Sequence, residues 1–135
     1  MPKKGGLGAT ISVDDSGGTL RNISTGVTNF AVSTPRGVQD VTGVDKSAME
    51  RLLLLADFSF TPSGVFDDTA TVGSHIVFRT VPSTSVLRTT TVLVNGVTLT
   101  GELLYSDYSI TRAQDGSLTW TAPGVLADGA VPTWA

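Results

Sequence analysis

Two runs of alternating apolar and polar residues meet at Asn95-Gly96 and predict a β-hairpin over residues 86–105. Asn-Gly favours a two-residue type I′ turn, because both central residues of that turn need a positive φ. Such a turn fixes the register and places Thr91 opposite Thr100, with apolar side chains on one face and hydroxyls on the other. A long strand pair with a polar second face has open edges, which predicts a sheet completed by other chains.

Period-two alternation predicts four further strands, at residues 8–13, 19–24, 27–34 and 57–66. Within the last of these, Pro62 cannot donate to a strand ladder, so we expect an edge strand or a bulge there. A second hairpin is expected over residues 108–123. Its apolar positions are all even-numbered, so its loop holds an odd number of residues, and Gln114-Asp115-Gly116 fits a three-residue loop with Gly116 in the left-handed conformation.

The predicted helix covers residues 47–55. Ser47-Ala48-Met49-Glu50 has the form of a capping box, and Met49, Leu52, Leu53 and Ala56 fall at helical spacing. The preceding residues 35–44 are interpreted as a polar connection. Residues 73–80 are compatible with a short helix capped by Ser74 or with a buried strand, and we favour the helix.

Composition bounds the class of protein. At 135 residues and 14.0 kDa the chain predicts a single domain over 1–135, with a flexible N-terminal arm at 1–8 and a C-terminal tail at 124–135. The net charge is −3 and the nine basic residues are scattered, which argues against specific nucleic-acid binding. Lys3 and Lys4 precede no apolar export segment, and the longest apolar run, Leu52–Ala56, is too short to span a membrane.

No motif predicts catalysis, a cofactor or a metal site. His75 is the sole histidine and no Gly-x-Ser-x-Gly motif occurs, so a serine-hydrolase triad lacks its nucleophile elbow. Asp14-Asp15 could suggest calcium, but an EF-hand needs several more oxygen ligands at set spacing, and turn chemistry is favoured. We therefore expect a protein that is not an enzyme.

Three segments resemble a known family. They are residues 34–43, Thr-Pro-Arg-Gly-Val-Gln-Asp-Val-Thr-Gly; residues 52–57, Leu-Leu-Leu-Leu-Ala-Asp; and residues 118–129, which include Leu-Thr-Trp-Thr and Val-Leu-Ala-Asp-Gly. Their order, with a strand, a long connection, a capped helix and two hairpins, resembles the major tail tube protein of long-tailed bacteriophages and related phage-like particles.

The resemblance implies a mainly β fold, a β-sandwich or barrel-like subunit with one short flanking helix, whose sheet is completed by neighbouring subunits in a ring. Hexameric rings would stack into a tube in the virion tail, assembled in the host cytoplasm. Tape-measure protein and then DNA would occupy the lumen, and tail terminator and baseplate proteins would be further partners.

The resemblance also implies two sets of site residues. Those expected to face the lumen are Thr89, Thr91, Thr98, Thr100 and Glu102. Those expected to form ring-to-ring contacts are Lys3, Lys4, Arg36, Gln39 and Asp40. Two alternatives stay open: a tail terminator or baseplate ring protein of the same fold, and a monomeric β-sandwich binding module.

Overall fold

The structure, a computed structural model, describes residues 3–135. Most of its regular structure is β-strand, with one 3₁₀ turn at Ser24–Gly26 and one short helix, α1, at Ser74–Phe78. The strands are β1 (Thr10–Asp14), β2 (Leu20–Asn22), β3 (Asn29–Ser33), β4 (Arg36–Asp40), β5 (Arg51–Ala56), β6 (Ser59–Val65), β7 (Arg88–Val94), β8 (Val97–Tyr105), β9 (Ser109–Arg112), β10 (Leu118–Thr121), β11 (Gly124–Leu126) and β12 (Thr133–Trp134).

Ten of these strands form one antiparallel sheet in the order β2-β1-β7-β8-β11-β6-β10-β9, with β12 added to β8 and β3 added to β6. The sheet curls so that its inner face encloses a single apolar core, which confirms the predicted mainly β, barrel-like class. Trp120 of β10 lies at the centre, where it packs against Phe78 of α1 and its indole N–H donates to the Gly26 and Val65 carbonyls (3.2 and 2.9 Å).

The hairpin predicted around Asn95-Gly96 is confirmed as β7 and β8. Both turn residues have positive φ, 50° and 85°, and Thr91 lies opposite Thr100 as expected. The second hairpin is confirmed too, as β9 and β10, with Gly116 at φ 94°. Turn chemistry thus sets the register of both pairs.

The expectation that Pro62 marks an edge or a bulge is wrong. β6 is an interior strand, paired with β3 on one side and with β10 and β11 on the other. The Pro62 carbonyl accepts from the Ala122 N–H (3.2 Å), so the proline nitrogen faces the break between β10 and β11. A missing donor costs little where the neighbouring ladder is already interrupted.

The helix predicted over residues 47–55 is also wrong, whereas the short helix favoured over residues 73–80 is confirmed as α1. The expected cap is wrong, because Gly73 is the N-cap and Ser74 makes no capping hydrogen bond. Residues 51–56 form β5, which pairs with β4, so residues 35–44 contain a strand rather than only a connection. Four consecutive leucines leave a helix without a polar face, while a strand can carry apolar residues on both sides. β4 and β5 also continue the pairing of β3 with β6, which favours the extended form.

The two ends of the chain are tied to the β7–β8 hairpin. Met1 and Pro2, the start of the predicted arm, lie outside the described residues; Lys3 and Lys4 are exposed, and the Gly5 carbonyl accepts from the Asn95 side-chain amide. Of the predicted C-terminal tail, residues 124–126 are a strand inside the sheet and Thr133–Trp134 pair with β8. No helix within residues 3–135 has the length and apolar character needed to cross a membrane.

Candidate assembly surfaces

The face of the large sheet that points away from the core is rich in hydroxyl groups, with a smaller number of exposed apolar residues such as Leu93 and Leu104. Strand register places one set of alternate positions on this face, which we call the hydroxyl face. Its hydroxyl-bearing residues are Thr10, Ser12, Ser33, Ser59, Thr61, Ser63, Thr89, Thr91, Thr98, Thr100, Ser109, Thr111, Thr119, Thr121 and Thr133. The sequence predicted this character for the hairpin at Asn95-Gly96, and the fold extends it over the neighbouring strands as one surface.

All five residues that the sequence placed at a lumen share the hydroxyl face. Thr89 lies opposite Glu102 and its hydroxyl donates to that carboxylate. The Thr89 backbone N–H donates to Asp14 Oδ2 (3.3 Å). Thr91 and Thr100 form the next pair, so the centre of the face is a set of ordered hydroxyls next to two acidic side chains.

The charge of the hydroxyl face has a single sign. Among the described residues, the strand positions on this face hold Asp14 and Glu102 but no lysine or arginine. A surface without cations releases no counterions from a nucleic-acid backbone, and its carboxylates repel phosphates. The described strands of this face therefore offer a polyanion no cation to bind.

Buried polar contacts beneath this face hold the hairpin in place. Thr90 and Tyr105 are buried on the core side, and their hydroxyls share a hydrogen bond of 2.7 Å. Burial raises the pKa of the Tyr105 phenol. The buried Arg88 guanidinium donates to the carbonyls of Asp14 (3.1 Å) and Val77 (3.0 Å), which links β1, β7 and α1. Desolvation lowers the pKa of Arg88, yet both terminal nitrogens donate, Nη1 to these two carbonyls and Nη2 to the Thr80 hydroxyl (3.0 Å).

A second surface is the hairpin made by β4, β5 and the intervening residues 41–50, which we call the leucine hairpin. Its strands pair with each other and form a separate two-stranded sheet. Both strands are exposed except at Ala56, and Leu53 and Leu55 are 60% and 90% exposed. A groove of about 630 Å³ lies at the base of the hairpin, between Pro35 and Leu55. This apolar surface belongs to the segment for which the sequence predicted a helix packed on the core.

Local hydrogen bonds give the leucine hairpin a defined shape. The Arg36 guanidinium donates to the Leu54 carbonyl across the pair (2.8 and 3.0 Å). At the far end, Asp40 accepts from the Thr42 hydroxyl (2.6 Å) and backbone N–H (2.9 Å), and these bonds lower the pKa of Asp40. The Glu50 N–H donates to the Thr42 hydroxyl (2.8 Å). Three predicted ring-contact residues, Arg36, Gln39 and Asp40, thus lie on one strand of a structured hairpin.

Other candidate groups are occupied within the fold. The Asp15 carboxylate accepts from the N–H groups of Gly17 (2.9 Å) and Thr19 (3.0 Å) and pairs with Arg21 (3.0 Å), which confirms the predicted turn chemistry. His75 Nδ1 is hydrogen-bonded to the Tyr108 hydroxyl (3.0 Å). Within residues 3–135, no three histidine or carboxylate side chains are grouped as a metal site.

The fold, with its curled antiparallel sheet, separate two-stranded hairpin and one short helix, is that of tail proteins of phage-like particles. A chain from the tail of an empty gene transfer agent particle, refined as a helix with C6 symmetry, superimposes with a TM-score of 0.78 and 16% identity, over 98% of this chain and 99% of that one. A chain from the virion of a native gene transfer agent particle gives a TM-score of 0.77 and 17% identity, over 98% and 99%.

A chain from the six-fold symmetrised baseplate of the anti-feeding prophage has the same fold, with a TM-score of 0.67 and 10% identity, over 100% of this chain and 96% of that one. No family model matches the sequence, and no curated protein is significantly similar to it. The predicted resemblance to tail proteins is therefore confirmed at the level of the fold.

Proposed function

We propose that this protein is the structural subunit of a phage-like tail tube and that its hexameric rings stack around a lumen. The observation that carries the proposal is the superposition of nearly the whole chain on a subunit of a C6-symmetric tail. The open edges of the large sheet also support the proposal, since copies that pair edge to edge around a ring leave no open edge at the ends of that sheet. On this proposal the protein is not an enzyme and works in the virion tail.

The hydroxyl face lines the lumen on this proposal, through Thr89, Thr91, Thr98, Thr100 and Glu102. Tape-measure protein would occupy the lumen during assembly, and DNA would pass through it later. The absence of lysine and arginine from this face of the described sheet supports the assignment, because DNA finds no cation to bind there. Six copies multiply the effect of Asp14 and Glu102, which keeps phosphates away from the wall.

Ring-to-ring contacts are proposed for the leucine hairpin, through Arg36, Gln39 and Asp40, and for the N-terminal segment, through Lys3 and Lys4. The exposure of both elements supports this assignment. The tail terminator and baseplate proteins would meet the tube at its two ends through the same surfaces.

Electron microscopy of the purified protein tests the assembly. Tubes with six-fold symmetry are expected, while strict monomers at high concentration would refute the proposal. Isolated rings would favour a terminator or baseplate ring, the second candidate, for which the match to a baseplate chain is the specific support.

The lumen assignment is tested with a charge pair and its neutral control. Thr91→Lys with Thr100→Lys should leave tubes intact and slow DNA release from particles, because the cations bind phosphates. Thr91→Gln with Thr100→Gln adds comparable length without charge and should release DNA normally. If both pairs abolish tubes, these threonines lie in a packed interface instead of facing a lumen.

A further inference from the structure

The leucine hairpin carries exposed apolar side chains on both of its faces. Register places Val38 opposite Leu53, so these two and Leu55 share one face. The other face carries Leu52 and Leu54 together with Val41, whose N–H donates to the Glu50 carbonyl (3.0 Å). All six of these side chains are exposed in the single chain.

This two-sided pattern differs from that of the large sheet. In β7, Arg88, Thr90 and Val92 face the core and are buried, and the alternate positions hold two threonines and a single exposed leucine, Leu93, as expected for a strand covered on one side only. A hairpin that lay on a single partner would need only one apolar face, and its other face would carry polar residues. Continuous apolar runs such as residues 52–55 are typical of strands covered on both faces. The leucine hairpin therefore needs two covering surfaces.

We propose that the leucine hairpin inserts between two other copies of this chain, each of which covers one of its faces. This inference rests on the proposed tube, in which head-to-tail contacts within a ring and contacts between rings give every subunit neighbours in two directions. The superposition on a chain of a C6-symmetric helical tail supports copies of the same chain as the occupants.

The charges along the leucine hairpin are also compatible with other copies of this chain as its binding partners. Asp40 lies opposite Arg51, so residues of opposite charge occupy facing positions of the two strands near the far end of the hairpin. A hairpin with matched charges and apolar faces requires no strongly charged partner. Close to the body of the subunit, the groove between Pro35 and Leu55 offers further apolar area for an entering side chain.

The experiment makes each face polar separately. One variant carries Leu53→Thr and Leu55→Thr, the other carries Leu52→Thr and Leu54→Thr, since threonine keeps a high strand preference. Each should raise the critical concentration for tube assembly by more than about tenfold, while the far-ultraviolet circular dichroism of the subunit stays unchanged. Leu87→Thr, at an exposed leucine outside the hairpin, is the control and should assemble like the parent.

The possible results separate the two proposals. If the parent protein stays monomeric, the tube itself is refuted. If the parent assembles and one of the two face variants assembles equally well, the tube stands and two-sided insertion is refuted.

A second measurement applies even if a face variant fails to fold. Because the sequence contains no cysteine, Leu53→Cys and Leu52→Cys each provide a unique site for an environment-sensitive fluorophore, one on each face. Both labels should shift to the blue on assembly. A shift at one label only would place the hairpin against a single surface and refute the inference.

Discussion

The hydrogen bond between Thr90 and Tyr105 should be detectable as a coupling free energy across the β7–β8 hairpin. The two hydroxyls lie 2.7 Å apart and both residues are buried, with Tyr105 8% exposed. In Tyr105→Phe, the Thr90 hydroxyl retains only a long contact with the Arg88 carbonyl (3.4 Å). Leaving one buried hydroxyl without a good partner costs about 1–3 kcal/mol, and Thr90→Val should cost a similar amount because it orphans the phenol.

The double variant removes both polar groups and leaves an apolar pair of nearly the same shape. Its loss of unfolding free energy should be smaller than the sum of the two single losses, by about 1–2 kcal/mol. Urea unfolding followed by circular dichroism measures all four proteins, at a protein concentration at which the subunit is monomeric. Each kcal/mol corresponds to a fall in Tm of about 4 °C for a domain of this size. A coupling below about 0.3 kcal/mol would refute the bond as a stabilising contact.

Burial raises the pKa of Tyr108 to about 12 and also raises that of Tyr105, so the folded state holds both phenolic protons more tightly than the unfolded chain, whose phenols titrate near about pH 10. The free energy of unfolding should therefore keep its full value below about pH 10 and decrease as the pH rises above it. Urea unfolding across this range should show a smaller decrease for Tyr105→Phe than for the parent. A free energy of unfolding that does not change with pH in the parent would contradict the argument. Gly64→Ala should destabilise the subunit by more than about 3 kcal/mol, because its Cβ would overlap the Gly26 carbonyl oxygen beside Trp120. Soluble yield and thermal melting test this against Gly5→Ala, which has no neighbouring atom within 4 Å, and equal behaviour of the two variants would refute the steric reasoning.

Local chemistry explains which elements the sequence predicted. Asn95-Gly96 and Gly116 favour particular turns through their backbone preferences, and a turn of known length dictates which residues pair. The core-facing positions Phe58, Phe60 and Trp120 follow from period-two alternation and are all buried. Local helix propensity was misleading where it competed with tertiary pairing. The capping box Ser47-Ala48-Met49-Glu50 suggests a helix, but extension of the β3–β6 ladder makes residues 51–56 a strand.

For the candidate surfaces too, part of the arrangement follows from local sequence and part only from long-range strand pairing. That Thr89, Thr91, Thr98, Thr100 and Glu102 share a face follows from hairpin register alone. That this face continues through β1, β6, β10 and β9 and carries no cation across the described strands depends on long-range pairing, which has no local signal. The Pro62 position illustrates the point, because only the break between β10 and β11 makes a proline acceptable in an interior strand.

The sequence by itself determined the hairpins, their register and the two-faced character of their strands, since these depend on turn residues and alternation within about twenty residues. The tertiary structure decided the order of strands in the sheet and the exposure of the leucine hairpin. Four consecutive leucines specify burial but not what buries them, and within one chain nothing in the described residues does so. The exposure of these leucines depends on long-range strand pairing, which is why it becomes visible only in the folded subunit.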